Sequence, residues 1–73
     1  MDKAQEMASF VAVVEAGSFV GAADSLGLSK AAVSRQVGDL ERRLGSRLLH
    51  RTTRRLSLTD DGQLFFERAK DLL

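Results

Sequence analysis

Ser29-Lys30-Ala31-Ala32-Val33-Ser34-Arg35-Gln36-Val37-Gly38-Asp39-Leu40-Glu41-Arg42-Arg43-Leu44-Gly45 is the stretch on which the fold turns. Val33, Val37, Leu40 and Leu44 recur at the three- and four-residue spacing of an amphipathic helix. Ser29 stands where an N-cap accepts a free amide, and Gly45 where a left-handed C-cap ends the helix. At about 100° per residue, Ala31, Arg35, Gly38 and Arg42 fall opposite that apolar face, with Lys30 and Ser34 between the two. The exposed stripe therefore alternates small residues with arginine. Such a surface suits the DNA major groove, where small side chains let the backbone approach and arginine reaches guanine edges or phosphates. A plain solvent-facing ion pair, Arg42 with Asp39 or Glu41, is the alternative for part of it.

Upstream, Met7, Phe10, Val11 and Val14 predict a first helix stopped at Gly17. Ser18 caps a short second one carrying Phe19, Ala22, Ala23 and Leu26 and closed by Gly27. Two helices joined by a tight glycine turn, the second longer and basic, describe a helix-turn-helix within a three-helix core. Gly21 and Gly38 lie inside helices, marking either a close approach of other atoms or tolerance at an exposed site.

Downstream the period changes. Leu48-Leu49-His50-Arg51 and Arg55-Leu56-Ser57-Leu58 read as a two-stranded wing, with Thr52-Thr53-Arg54 turning between them. Arg51, Arg54 and Arg55 then sit near a hairpin tip, suited to phosphates or a narrow minor groove. Thr59 is the N-cap of a fourth helix, with Asp60 and Asp61 at the positive end of its dipole. That helix carries Leu64, Phe65, Phe66, Ala69, Leu72 and Leu73. Three consecutive large apolar residues point in different directions, more than one small core absorbs, which predicts packing against a second molecule.

Composition bounds the function. Seventy-three residues, 44% hydrophobic and 29% charged, fit one small folded domain. So short a chain buries little surface, which predicts oligomerisation or a missing remainder. There is no cysteine, so disulfides, thiolate zinc sites and thiol nucleophiles are excluded, and the lone His50 makes no metal site. No cofactor is expected. No apolar run approaches the roughly 20 residues of a membrane span, and the polar N-terminus is unlike a signal peptide, so the expected location is cytoplasmic. The formal net charge is only +1, yet residues 28–55 hold Lys30, Arg35, Arg42, Arg43, Arg47, Arg51, Arg54 and Arg55 against Asp39 and Glu41 alone. Both flanks are net acidic. A basic middle rich in arginine points to a polyanion such as nucleic acid. Ser34, His50 and Asp39 hold the residue types of a hydrolytic triad, but a solvent-facing serine without a pocket predicts no enzyme. A protein-interaction module binding an acidic surface is the second reading.

Taken together, Ala22-Ala23-Asp24-Ser25-Leu26-Gly27-Leu28-Ser29, Ala32-Val33-Ser34-Arg35-Gln36-Val37, Leu40-Glu41, Leu44-Gly45, Leu48-Leu49-His50-Arg51-Thr52, Leu58-Thr59 and Gly62 form a composite motif. It resembles the N-terminal domain of LysR-type transcriptional regulators, from about Met7 to the end of the chain. The resemblance implies a mainly α fold: a winged helix-turn-helix over 1–59, with the motif near 19–38 and the wing near 48–58. From Asp60, residues 60–73 would begin a linker and dimerisation helix. It further implies base contacts from Lys30, Ala31, Ser34 and Arg35, wing contacts from Arg51, Arg54 and Arg55, and a homodimer through Leu64, Phe65, Phe66 and Leu72. Double-stranded DNA carrying an inverted repeat would be the partner. A homotetramer and a small-molecule effector would belong to a longer protein whose effector domain is absent here. The family usually has glutamine where Lys30 stands, proline or serine at Ala31, and phenylalanine at Leu49. Lysine donates to guanine or phosphate but does not read adenine bidentately as glutamine does.

Overall fold

A computed structural model describes residues 2–51 and 56–73. Helices α1 (Lys3–Ala16), α2 (Phe19–Leu26) and α3 (Lys30–Leu44) are followed by β1 (Leu49–His50), β2 (Ser57–Leu58) and α4 (Asp60–Leu72). Local chemistry sets each helix start. Asp2, Ser18, Ser29 and Thr59 accept the amides of Ala4, Gly21, Ala32 and Gly62 at 2.9–3.0 Å, each filling an otherwise orphan donor. Gly17, Gly27 and Gly45 end the first three helices at φ of 76°, 69° and 66°, where a β-carbon is strained.

Helix α1 packs on both α2 and α3, and α4 lies against α1 and β2. Phe10, Val13, Ala22, Val33, Val37, Leu40, Leu48, Leu49 and Ala69 form the core. Phe10 is its centre: Phe65 and Phe66 meet it edge-on, with ring centroids 5.7 Å and 6.4 Å away. The core thus takes both rings of the Leu64-Phe65-Phe66 run, and only Leu64 is left exposed. The apolar spacing of α3 also misplaces one residue, since Leu44 is exposed. The last turn of α3 meets α1 near its first turn, where Arg43 pairs with the buried Glu6, and little of α1 remains beyond to cover it.

The wing strands pair antiparallel, Leu49 opposite Leu58 and His50 opposite Ser57. The expected turn at Thr52-Thr53-Arg54 lies outside the described residues. Thr59 fastens the wing to α4: its N–H donates to Leu48 C=O at 3.0 Å and its hydroxyl to Arg47 C=O at 2.6 Å. Gly62 allows this closure, because a β-carbon there would overlap the Leu48 carbonyl oxygen. The two mid-helix glycines separate. A β-carbon at Gly21 would press on Ala16 Cβ at 3.0 Å, whereas at Gly38 it would meet only Arg42 Nη1 at 3.5 Å. Gly21 marks a close approach and Gly38 an open surface.

Candidate nucleic-acid interface

Three residues separate α3 from the end of α2, and the inward face of α3 (Val33, Gln36, Val37, Leu40) is buried. What remains outward at its start is Lys30, Ala31 and Arg35, with Ser34 half-buried beside them. All four lie within the first two turns, so one helix brings them together. Neither Lys30 nor Arg35 has an ion-pair partner among the described residues. One turn on, Gly38 leaves a gap in the stripe, and beyond it Arg42 pairs with Asp39.

The stripe is held from beneath. Gln36 is buried next to Arg35, and Ser9 Oγ of α1 donates to Gln36 Oε1. Arg43 pairs with Glu6, a second tie between α1 and α3. Pattern reading missed both ties, because each joins residues far apart in sequence. An acidic residue on the buried side of α1, as Glu6 is, was the only available hint.

The wing arginines divide. Arg54 and Arg55 lie outside the described residues. Arg51 sits just past β1, with Nη2 donating to Glu41 Oε1 at 3.1 Å and its guanidinium carbon 5.3 Å from the Phe19 ring centroid. Glu41 also accepts the amides of Leu48 and Leu49 through Oε2, at 2.8 Å and 3.2 Å. In the sequence Glu41 stands as a possible partner for Arg42 and as part of the Leu40-Glu41 motif. Its rarity as an acid within the basic segment was the signal available. An open cleft between α3 and β1 is lined by Gly38, Glu41, Arg42, Arg47 and Arg51.

On α4, Leu64 and Leu72 are exposed, while Phe65 and Phe66 are half-buried on Phe10. On the helical wheel Leu72 and Leu73 share the side of Phe65, Ala69 and Phe66. The apolar face of α4 thus runs on past the body it packs against. Of the triad types, Asp39 is engaged by Arg42, and His50 is exposed on β1 opposite Ser57. Among the described residues no group of three potential ligands is placed to hold a metal, and no helix is long and apolar enough to cross a membrane.

The model of the bacterial regulatory helix-turn-helix proteins of the lysR family matches residues 4–63. An HTH-type transcriptional repressor of Pseudomonas aeruginosa is 62% identical over all 73 residues, which span 23% of its length. The HTH-type transcriptional regulator CrgA of Neisseria meningitidis is 52% identical over 69 residues, 94% of this chain and 23% of that protein. The chain thus spans about a quarter of the length of these curated relatives. Among solved structures, the BenM DBD in complex with catB site 1 DNA superimposes with a TM-score of 0.93 at 39% identity, covering 97% of this chain and 79% of that one. Fold, motif and identity agree: the chain belongs to the lysR family of bacterial regulatory helix-turn-helix proteins.

Proposed function

We propose that the chain is the DNA-reading domain of a bacterial transcription regulator. It binds double-stranded DNA sequence-specifically, with the start of α3 in the major groove. The observation that carries this reading is the pair of cations Lys30 and Arg35, exposed beside Ala31 without an ion-pair partner among the described residues. Arg35 and Lys30 donate to guanine O6 and N7, Ser34 serves either kind of base edge, and Ala31 lets the backbone come close. That a 39% identical domain was crystallised on DNA supports it. Arg54 and Arg55 carry the wing onto the adjacent backbone or minor groove.

Helix α4 begins a linker that pairs two copies through Leu64 and Leu72, with Phe65 and Phe66 bracing it from the core. Two recognition helices then stand about 34 Å apart, or a multiple of that, over an inverted repeat. Effector binding and a homotetramer belong to the rest of a longer protein, at work on the nucleoid in the cytoplasm. The reading assigns no catalysis, in keeping with relatives that are transcriptional regulators.

The test is fluorescence anisotropy of the chain against a pool of duplexes at two salt concentrations, with the bound fraction sequenced. Enrichment of an inverted repeat with steep salt dependence is expected. Salt-sensitive binding without enrichment contradicts sequence reading. No binding at low salt favours the interaction module.

A further inference from the structure

The arginines of the cleft between α3 and the wing are not equivalent. Arg42 is paired with Asp39, and Arg51 with Glu41, whereas the exposed Arg47 has no ion-pair partner among the described residues. The Glu41 side chain is 11% exposed and receives three donors: the amides of Leu48 and Leu49 and the Arg51 guanidinium. The two amides open the wing, and Leu48 and Leu49 are themselves core residues. Arg51 in turn lies over Phe19 at the start of α2, a cation–π contact. One carboxylate on the recognition helix therefore ties together α3, the root of the wing and, through Arg51, helix α2. A carboxylate has about four acceptor sites, so three donors nearly saturate it and fix its orientation.

We infer that Glu41 and Arg51 are positioning residues that set the angle of the wing against the recognition helix, and that Arg47 is the cleft's phosphate-binding cation. The inference rests on the DNA-binding reading above for Arg47, while the tether itself is measurable without DNA. It moves Arg51 from the DNA-contacting wing set to an internal role. A guanidinium held between a carboxylate and a ring has fewer donors left for phosphate. Arg47, by contrast, joins the net charge of the cleft uncompensated.

The experiment compares the wild type with Arg47→Ala, Arg51→Ala, Glu41→Gln and the Glu41→Gln/Arg51→Ala double variant. Binding to an enriched duplex and to a scrambled one is followed across salt, alongside amide hydrogen exchange of the free proteins. Arg47→Ala is expected to lower the slope of log K against log salt by about one and to weaken both duplexes alike. Arg51→Ala and Glu41→Gln are expected to keep the slope, to reduce the ratio between duplexes, and to speed exchange at Leu48 and Leu49. The double variant should be no worse than the more severe single one. A slope lowered by about one in Arg51→Ala, with Leu48 and Leu49 exchanging as in the wild type, overturns the tether. An unchanged slope in Arg47→Ala overturns the phosphate role. If Arg51→Ala unfolds, Arg51→Lys decides, since it keeps a charge for phosphate but not the planar fork: a wild-type ratio with wild-type exchange overturns the tether. A wild type that ignores DNA at low salt refutes the binding reading and the Arg47 role with it, and leaves the exchange result to judge Glu41 and Arg51.

Discussion

Gln36 turns into the protein where its neighbour Arg35 turns out of it, and the Gln36 side chain accepts the hydroxyl hydrogen of Ser9 on α1. Both partners are buried. The bond fixes the roll of α3 about its own axis one residue from the exposed Arg35, proposed above as a base contact. An unpaired amide inside the core is costly, so rolled alternatives that break the bond are disfavoured.

Ser9→Ala should therefore destabilise the domain by about 1–3 kcal/mol, because the Gln36 amide is left unsatisfied. In a domain this size each kcal/mol lowers Tm by roughly 4–8 °C. Ser9→Ala/Gln36→Leu, which removes both polar groups, should recover most of the loss. Thermal unfolding by circular dichroism checks both. A double variant that melts below the single one contradicts the argument.

Gly38 and Gly62 should respond in opposite directions to an added β-carbon. Gly38→Ala meets only the end of the Arg42 side chain, at an ordinary contact distance of 3.5 Å, and should raise stability by about 0.5–1 kcal/mol. It also places a methyl in the stripe, so affinity for the enriched duplex should fall even as Tm rises. Gly62→Ala must move the Leu48 carbonyl and should cost about 1–3 kcal/mol or more. Melting curves and one binding titration separate the two.

Phe10→Ala removes the ring on which Phe65 and Phe66 rest. The expected loss is about 3–5 kcal/mol, against the 3–5 kcal/mol that a core of this size supplies, roughly. The variant should be largely unfolded at 25 °C, seen as lost far-ultraviolet helicity. A cooperative melt near the wild-type Tm would speak against Phe10 as the centre of the core.

Leu64→Glu/Leu72→Glu touches exposed positions and should leave folding nearly unchanged. Sedimentation equilibrium should show weaker self-association than the wild type. Phe66→Ala should instead lower Tm, because that ring is braced on Phe10. Self-association unaffected by the double variant contradicts pairing through α4.

Much of this was legible in the residues. Three helices announced themselves through Ser18, Ser29 and the glycines at 17, 27 and 45, because capping is local chemistry that spacing reveals. Of the stripe Ala31, Arg35, Gly38 and Arg42 that the same periodicity gives, Ala31, Arg35 and Arg42 are exposed. What spacing does not encode is which distant atoms meet. Phe65 and Phe66 share the single ring of Phe10, an arrangement that needs the crossing of α1 and α4. Glu41 looks in the sequence like a neighbour for Arg42, yet it reaches the backbone amides of Leu48 and Leu49, seven and eight residues on. Arg51 reads in the sequence as a basic residue near a hairpin, and only its geometry shows Phe19 beneath it.

The most direct test of the central claim is a base-by-base affinity profile of the wild type and Arg35→Ala on the enriched duplex. Each base pair is substituted in turn at constant salt. Loss of Arg35 is predicted to cost about 1–3 kcal/mol and to abolish discrimination at one base pair in each half-site, with the other positions read as before. A uniform loss of affinity across every substituted duplex would instead make Arg35 a phosphate contact, and the account of α3 as the reader of sequence would be wrong.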